Sequence, residues 1–318
     1  MLIPPRNVKL TTRTGVEVRR TLPHRDLKMI GAWCFVDHFG PTEQTDGMVV
    51  AAHPHTGLQT VTWLIEGAIE HRDSIGSVQI IKPGQLNLMT AGQGIAHSEL
   101  SLAAAQAPGS FSSGGANLLH AVQLWVALPS DALNAAPDFE HQANLPRFTL
   151  ADGAAGSIAT ATVLAGEFMG HVAQTKTFSP LIGVEIRVRA GQTVEIPLNP
   201  AFEHGFMLVE GQIALSAAAA GLNNTDIPVS GLEYLEKGPD SAILTAGVQD
   251  SIILLLGGEP FGEKILMWWN FIGRSHQDIA KAREEWNAQT GQRFAAFKDS
   301  IGGYIPAPDL PSVSLQAR

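Results

Sequence analysis

The sequence predicts an all-β protein of two consecutive domains, with one short helix near the C-terminus. Three observations carry this. Short segments rich in Val, Ile, Thr and Leu recur along the chain, 32 glycines and 19 prolines punctuate them, and they fall into two sets on either side of a polar, Pro-containing stretch at Asp131 to Pro146. Brief β-branched runs bounded by turn residues are the pattern of sheets.

In chain order, the first set includes Thr60 to Ile65 ending at Gly67, Ser77 to Ile81 ending at Pro83-Gly84, and Val122 to Ala127 ending at Pro129. The second includes Val184 to Val188 before Gly191, Phe206 to Val209 before Gly211, and Ile252 to Leu256 before Gly257-Gly258. The expected domains are residues 1–135 and 136–318, with the helix in the second. That helix begins at Ser275, where Asp278 completes a capping box, and Ile279, Ala282 and Trp286 form an apolar stripe read as packing. Two low-complexity stretches interrupt the strands, Ala103 to Gly115 and Ala217 to Ala220. The first reads as a surface loop, either a plain insertion or a lid over what precedes it.

Composition narrows the function. With 318 residues and 45% hydrophobic content, each domain can bury its own core. The single cysteine, Cys34, excludes an intramolecular disulfide, and within the apolar run Ile30 to Val36 it reads as a buried hydrophobe. No signal-peptide core opens the sequence and the aliphatic runs are too short to span a bilayer, so a cytoplasmic protein is expected. Thirty acidic against 21 basic residues give a formal charge of −9, and no basic patch interleaved with aromatics occurs. Direct nucleic-acid binding is thereby excluded, and any role in gene expression would run through a protein partner.

The chemistry concentrates between Gly47 and Glu99. His53-Pro54-His55 and His97-Ser98-Glu99 each place two ligand-type side chains two residues apart, and on a strand such residues share a face. The second pair follows the glycine turn Ala91-Gly92-Gln93-Gly94. Three imidazoles and one carboxylate suit Fe(II), with Mn, Co, Ni, Cu and Zn as competitors, and leave coordination positions for water or substrate. A closed structural zinc site would more often use thiolates, which one cysteine cannot supply. A single H-x-H is commonly an ordinary polar turn, but two such pairs between apolar strands weigh against that reading. Elsewhere, His38 reads as a turn cap, and His71 as solvated at a charged hairpin tip. His120 lies either beside the metal or buried and hydrogen-bonded, and His204 is isolated, so no metal is expected in the second domain. No nucleophile elbow, Walker A loop or complete G-x-G-x-x-G is present.

The segments His53 to Thr62 and Thr90 to Glu99 closely resemble the pirin family of two-domain cupins. So do Asp37 to Pro41, Leu119-His120 with Gln123 to Val126, and Gly257 to Gly262. The resemblance implies two consecutive cupin β-barrels, with metal only in the first, held by His53, His55, His97 and Glu99. Bacterial members resemble quercetin 2,3-dioxygenases, whereas eukaryotic members act as iron-dependent partners of transcription factors. The expected function is therefore a mononuclear non-haem iron dioxygenase cleaving quercetin or a similar enolisable aromatic, with dioxygen as co-substrate. Glu99 would be both ligand and catalytic base. The alternative is a metal-dependent, redox-sensing regulator that binds a protein partner. Gln59 departs from the Glu of many relatives, removing a carboxylate beside the metal or in the substrate pocket.

Overall fold

The computed structural model describes residues 1–10, 17–43, 48–102, 118–153, 156–297 and 303–317. The chain is built from strands, as expected, and an α-helix, α1 (His276–Ala288), follows them. The Ala103 to Gly115 stretch and Gly47 lie outside the described residues. Two compact units are present, and the chain passes between them at 7/8, 18/19, 38/39, 143/144 and 261/262. One unit comprises residues 8–18, 39–143 and 262–318, the other residues 1–7, 19–38 and 144–261. Among the described residues no helix is long and apolar enough to cross a membrane.

The unit bearing the histidine pairs holds β1 (Val49–His55), β2 (Leu58–Glu66), β3 (Ile69–Asp73), β4 (Val78–Ile81), β5 (Leu86–Thr90), β6 (Ile95–Ser101), β7 (Leu118–Ala127) and β8 (Asp138–Gln142). One antiparallel sheet runs β1-β6-β3-β4, and a second contains the order β8-β5-β2-β7. Strand β6 is buried along its whole length, as is most of β1. A strand covered on both faces reads as a continuous buried run, without the polar alternation of a solvated sheet. The outer cover is visible in an apolar cluster in which Ala52 and Ala96 pack with Phe271, Ile279, Ala282 and Trp286. The stripe of α1 is thus packing, as expected. Its capping box is formed, Ser275 Oγ accepting from the Asp278 amide at 3.2 Å and Asp278 Oδ2 accepting from the Ser275 amide at 2.9 Å.

In the other unit, the main sheet contains the antiparallel run Glu203–Glu210, Ser251–Gly258, Leu181–Val188 and Gly156–Ala165. A four-stranded sheet completes it, in the order Thr193–Pro197, Ser241–Ala246, Ile213–Ala217 and Leu222–Ile227. Its interior is aliphatic and aromatic, with Val184, Ile186, Phe206, Leu215, Leu244 and Leu255 in one cluster. His204 is buried two residues before Phe206, opposite Gly257, and neither ring nitrogen has a hydrogen-bond partner among the described residues.

His38 lies within the strand Trp33–Glu43, not in a turn, and is buried with Nδ1 2.7 Å from Ser230 Oγ. The Gly40-Pro41 signal that suggested a turn reflects a close approach instead. Gly40 has φ +66, and a Cβ there would stand 2.0 Å from the Leu119 carbonyl oxygen.

The turn leading into β6 is equally constrained. Gly92 has φ +51, its carbonyl accepts from the Gly57 amide at 2.8 Å, and an added Cβ would meet the Ala135 carbonyl oxygen at 1.9 Å. Gly76 also has a positive φ, +98, but open space around it. Gly92→Ala is therefore expected to cost about 3 kcal/mol and Gly76→Ala about 1 kcal/mol. Thermal unfolding of the two variants measures the difference. Equal losses would show that the Ala135 contact does not constrain the turn.

Candidate metal centre

The site is set by the pairing of β1 with β6 and of β6 with β3. His53 lies opposite His97 across β1 and β6, and His55 opposite Ile95. On the other edge of β6, Asp73 lies opposite His97 and His71 opposite Glu99. Residues directly opposite in an antiparallel pair project to the same face, so these side chains gather on one side of the sheet. The register with β1 shifts between His97 and Glu99, and Glu99 pairs with Val50.

The ring centroids of His53 and His97 are 4.3 Å apart, and His55 lies 5.0 Å from each. His55 Nε2 and His97 Nε2 are separated by 3.1 Å. One ligand atom from each of His53, His55 and His97 lies within 4.8 Å of the others, and the same holds for His71, His97 and Glu99. The four residues singled out in the sequence thus fall into two overlapping triads that share His97. Either triad could hold a metal ion.

Electrostatics favours neutral imidazoles. Burial holds His53 down to about 4, against a weaker raising effect of its hydrogen bond to the Ala51 carbonyl. Burial first and the neighbouring His53 second hold His55 and His97 well below 6.5. Because a carbonyl only accepts, the 3.0 Å contact of His53 Nδ1 with Ala51 O fixes the proton on Nδ1 and leaves Nε2 with a free lone pair. Burial pushes the Glu99 carboxyl up, opposed by His71.

His71 is not solvated. It is 3% exposed, stacks on Phe139 at 4.5 Å, and holds Asp73 Oδ2 at 3.1 Å through Nε2. The turn begins only at Asp73, whose Oδ1 accepts from the Ile75 and Ser77 amides, so His71 is still strand and faces inward. Its charged neighbours Glu70 and Arg72 pair with each other at 2.6 Å. The signal was present in the sequence, since His71-Arg72-Asp73 repeats the spacing of the two ligand pairs. Trp125 was also missed as a site residue. It reaches from β7 to stand edge-on to His55 at 5.1 Å. Gln59 is fully buried and its Nε2 donates to Thr90 Oγ1 at 2.9 Å across β2 and β5. His120 is buried at the start of β7, opposite Glu66, and belongs to neither triad.

Residues 15–126 match the family model "Pirin", and residues 183–293 match the "Pirin C-terminal cupin domain". A Pseudomonas aeruginosa protein named "Putative quercetin 2,3-dioxygenase PA1205" is 40% identical, over 93% of this chain and 87% of its own length. Human Pirin is 25% identical, over 91% of this chain and 93% of its own. A crystal structure of quercetin 2,3-dioxygenase from Acinetobacter baumannii superposes with a TM-score of 0.87 at 37% identity, covering 100% of this chain and 97% of that one.

Histidines held neutral by burial make stability depend on pH. Their folded values lie below the unfolded value, so the unfolded chain binds more protons as pH falls, and stability is lost on acidification. For His53 and His204, both held down to about 4, the loss starts near 6.5 and levels off below about 4. The melting temperature of the metal-free protein should fall through this window, and His204→Leu should make the fall shallower. An unchanged slope in that variant would show that His204 is not buried neutral.

Proposed function

This chain belongs to the pirin family of two-domain cupins, and from that premise we propose a mononuclear, iron-dependent dioxygenase acting on quercetin or a similar flavonol. The observation that carries the reading is the convergence of three buried, neutral imidazoles. Two nitrogens bound side by side on a first-row metal at about 2.1 Å stand about 3 Å apart, close to the 3.1 Å between His55 and His97. The donor set is nitrogen and oxygen without thiolate, which suits Fe(II) and admits Mn, Co, Ni, Cu or Zn. His53, His55 and His97 would hold the ion, with Glu99 as the anionic ligand beside His97.

A metal bound there would supply Lewis acidity to an enolic hydroxyl and a redox route to dioxygen. The protein's own residues do the rest. Burial of β1 and β6 excludes bulk water from the ligand side chains, which strengthens every charge interaction within the site. Trp125 offers an aromatic edge beside His55, suited to orienting a flat polyphenol. Glu99, pushed up by burial, is placed to accept the substrate's hydroxyl proton at its carboxylate oxygen. The proposed location is the cytoplasm, consistent with a sequence that holds one cysteine, the buried Cys34.

Metal analysis of freshly purified protein, followed by oxygen uptake with quercetin, tests the reading. His97→Ala is expected to lose most of the bound metal and the oxygen uptake together, while His204→Ala keeps both. Equal metal content in His97→Ala and the parent would overturn the site. Full metal content without oxygen uptake on any flavonol would turn the reading to a regulator that binds a protein partner.

A further inference from the structure

The geometry points to a fixed relay, Asp73 to His71 to His97, in which Asp73 and His71 are positioning residues that set the tautomer and ring orientation of His97. The inference rests on the reading of His97 as a metal ligand and adds two residues to it.

The chain of contacts has one direction. Asp73 Oδ1 accepts from the backbone amides of Ile75 at 3.0 Å and Ser77 at 2.9 Å, which anchors the carboxylate to its own turn. Its other oxygen, Oδ2, stands 3.1 Å from His71 Nε2. A carboxylate that accepts these bonds is ionised, so His71 Nε2 carries the proton and donates it. When His97 holds a metal through Nε2, its own proton sits on Nδ1, and His71, donating from Nε2, is left with the Nδ1 lone pair to accept it. That lone pair faces His97 Nδ1 at 3.3 Å. The contact is favourable only if His97 carries its proton on Nδ1, and His97 Nε2 is then left unprotonated. Nε2 is the nitrogen that points to His55 at 3.1 Å. Stacking of His71 on Phe139, with 18° between the planes, keeps its ring from turning out of this line. Outer partners of metal-bound imidazoles commonly act in this way, and their loss typically costs 10- to 100-fold in metal affinity.

Asp73→Asn inverts the relay with little change of shape. Asparagine keeps one oxygen for the turn amides and presents its amide N–H to His71 Nε2. His71 must then carry its proton on Nδ1, where it confronts His97 Nδ1 and drives the His97 proton onto Nε2. In metal-free protein, long-range nitrogen–proton imidazole spectra should show His97 protonated on Nδ1 in the parent and on Nε2 in Asp73→Asn. Zinc affinity, measured by competition with a chromophoric chelator, should fall about 10- to 100-fold in Asp73→Asn. His71→Gln retains an acceptor oxygen for His97 and should stay within about threefold of the parent, whereas His71→Leu should lose at least tenfold. Adding Asp73→Asn to His71→Gln should then cost little further.

An unchanged His97 tautomer with unchanged zinc affinity in Asp73→Asn would overturn the relay, as would equal losses in His71→Gln and His71→Leu. If Asp73→Asn does not fold, the His71 pair alone decides. Failure of the metal reading looks different. The parent would not bind zinc, yet the tautomer of His97 in metal-free protein would still change in Asp73→Asn.

Discussion

Everything at the candidate site depends on the backbone pairing that sets His53 opposite His97. That single antiparallel register brings together two imidazoles more than forty residues apart in sequence, and the two-residue strand period adds His55 from one side and Glu99 from the other. A slip of one residue would turn every one of these side chains to the opposite face of the sheet. The register is held from both ends. Gly92 admits the Ala135 carbonyl at the turn before β6, and Ala52 and Ala96 let the aromatic cluster around α1 close over the outer face. Burial on both sides then keeps the imidazoles neutral, so the structural constraint and the electrostatic one have the same origin.

The two units show how little of a barrel's function lies in the barrel. Each has antiparallel sheets around a buried interior, yet one interior carries converging nitrogens and the other carries Val184, Phe206 and Leu255. His204 marks the difference. Its ring is buried, stands near Phe202 and Gly257, and belongs to neither cluster of ligand groups found among the described residues. A lone imidazole among apolar side chains costs desolvation and offers no chelation.

Within the histidine-bearing unit, the polar groups are ordered outward from the candidate metal centre. Backbone amides hold Asp73, Asp73 holds His71, and His71 faces His97. From Asp73 through His71 to His97, each buried side chain meets a hydrogen-bonding partner, which is the condition under which a buried polar network orders a site instead of weakening it. Glu99 stands at the junction, opposite His71 on one side and sharing His97 with the second triad, so its environment differs from that of His53 and His55.

The fold class was legible from local rules, because β-branched runs and glycine or proline stops are local properties. So were α1 and its cap, from Ser275, Asp278 and the stripe through Trp286. The His53/His55 and His97/Glu99 pairs were legible as side chains sharing a face for the same reason, since a spacing of two on a strand is written in the chain itself. Which triads those residues form was not. Placing Glu99 with His71 rather than with His53 and His55 depends on the register shift in β6 and on which strand lies along its second edge, and both arise from pairing between distant segments. His71 shows this most plainly. Its charged neighbours resemble a solvated hairpin tip in one dimension, and only the position of the turn, two residues later, and the packing of Phe139 above it turn that histidine inward.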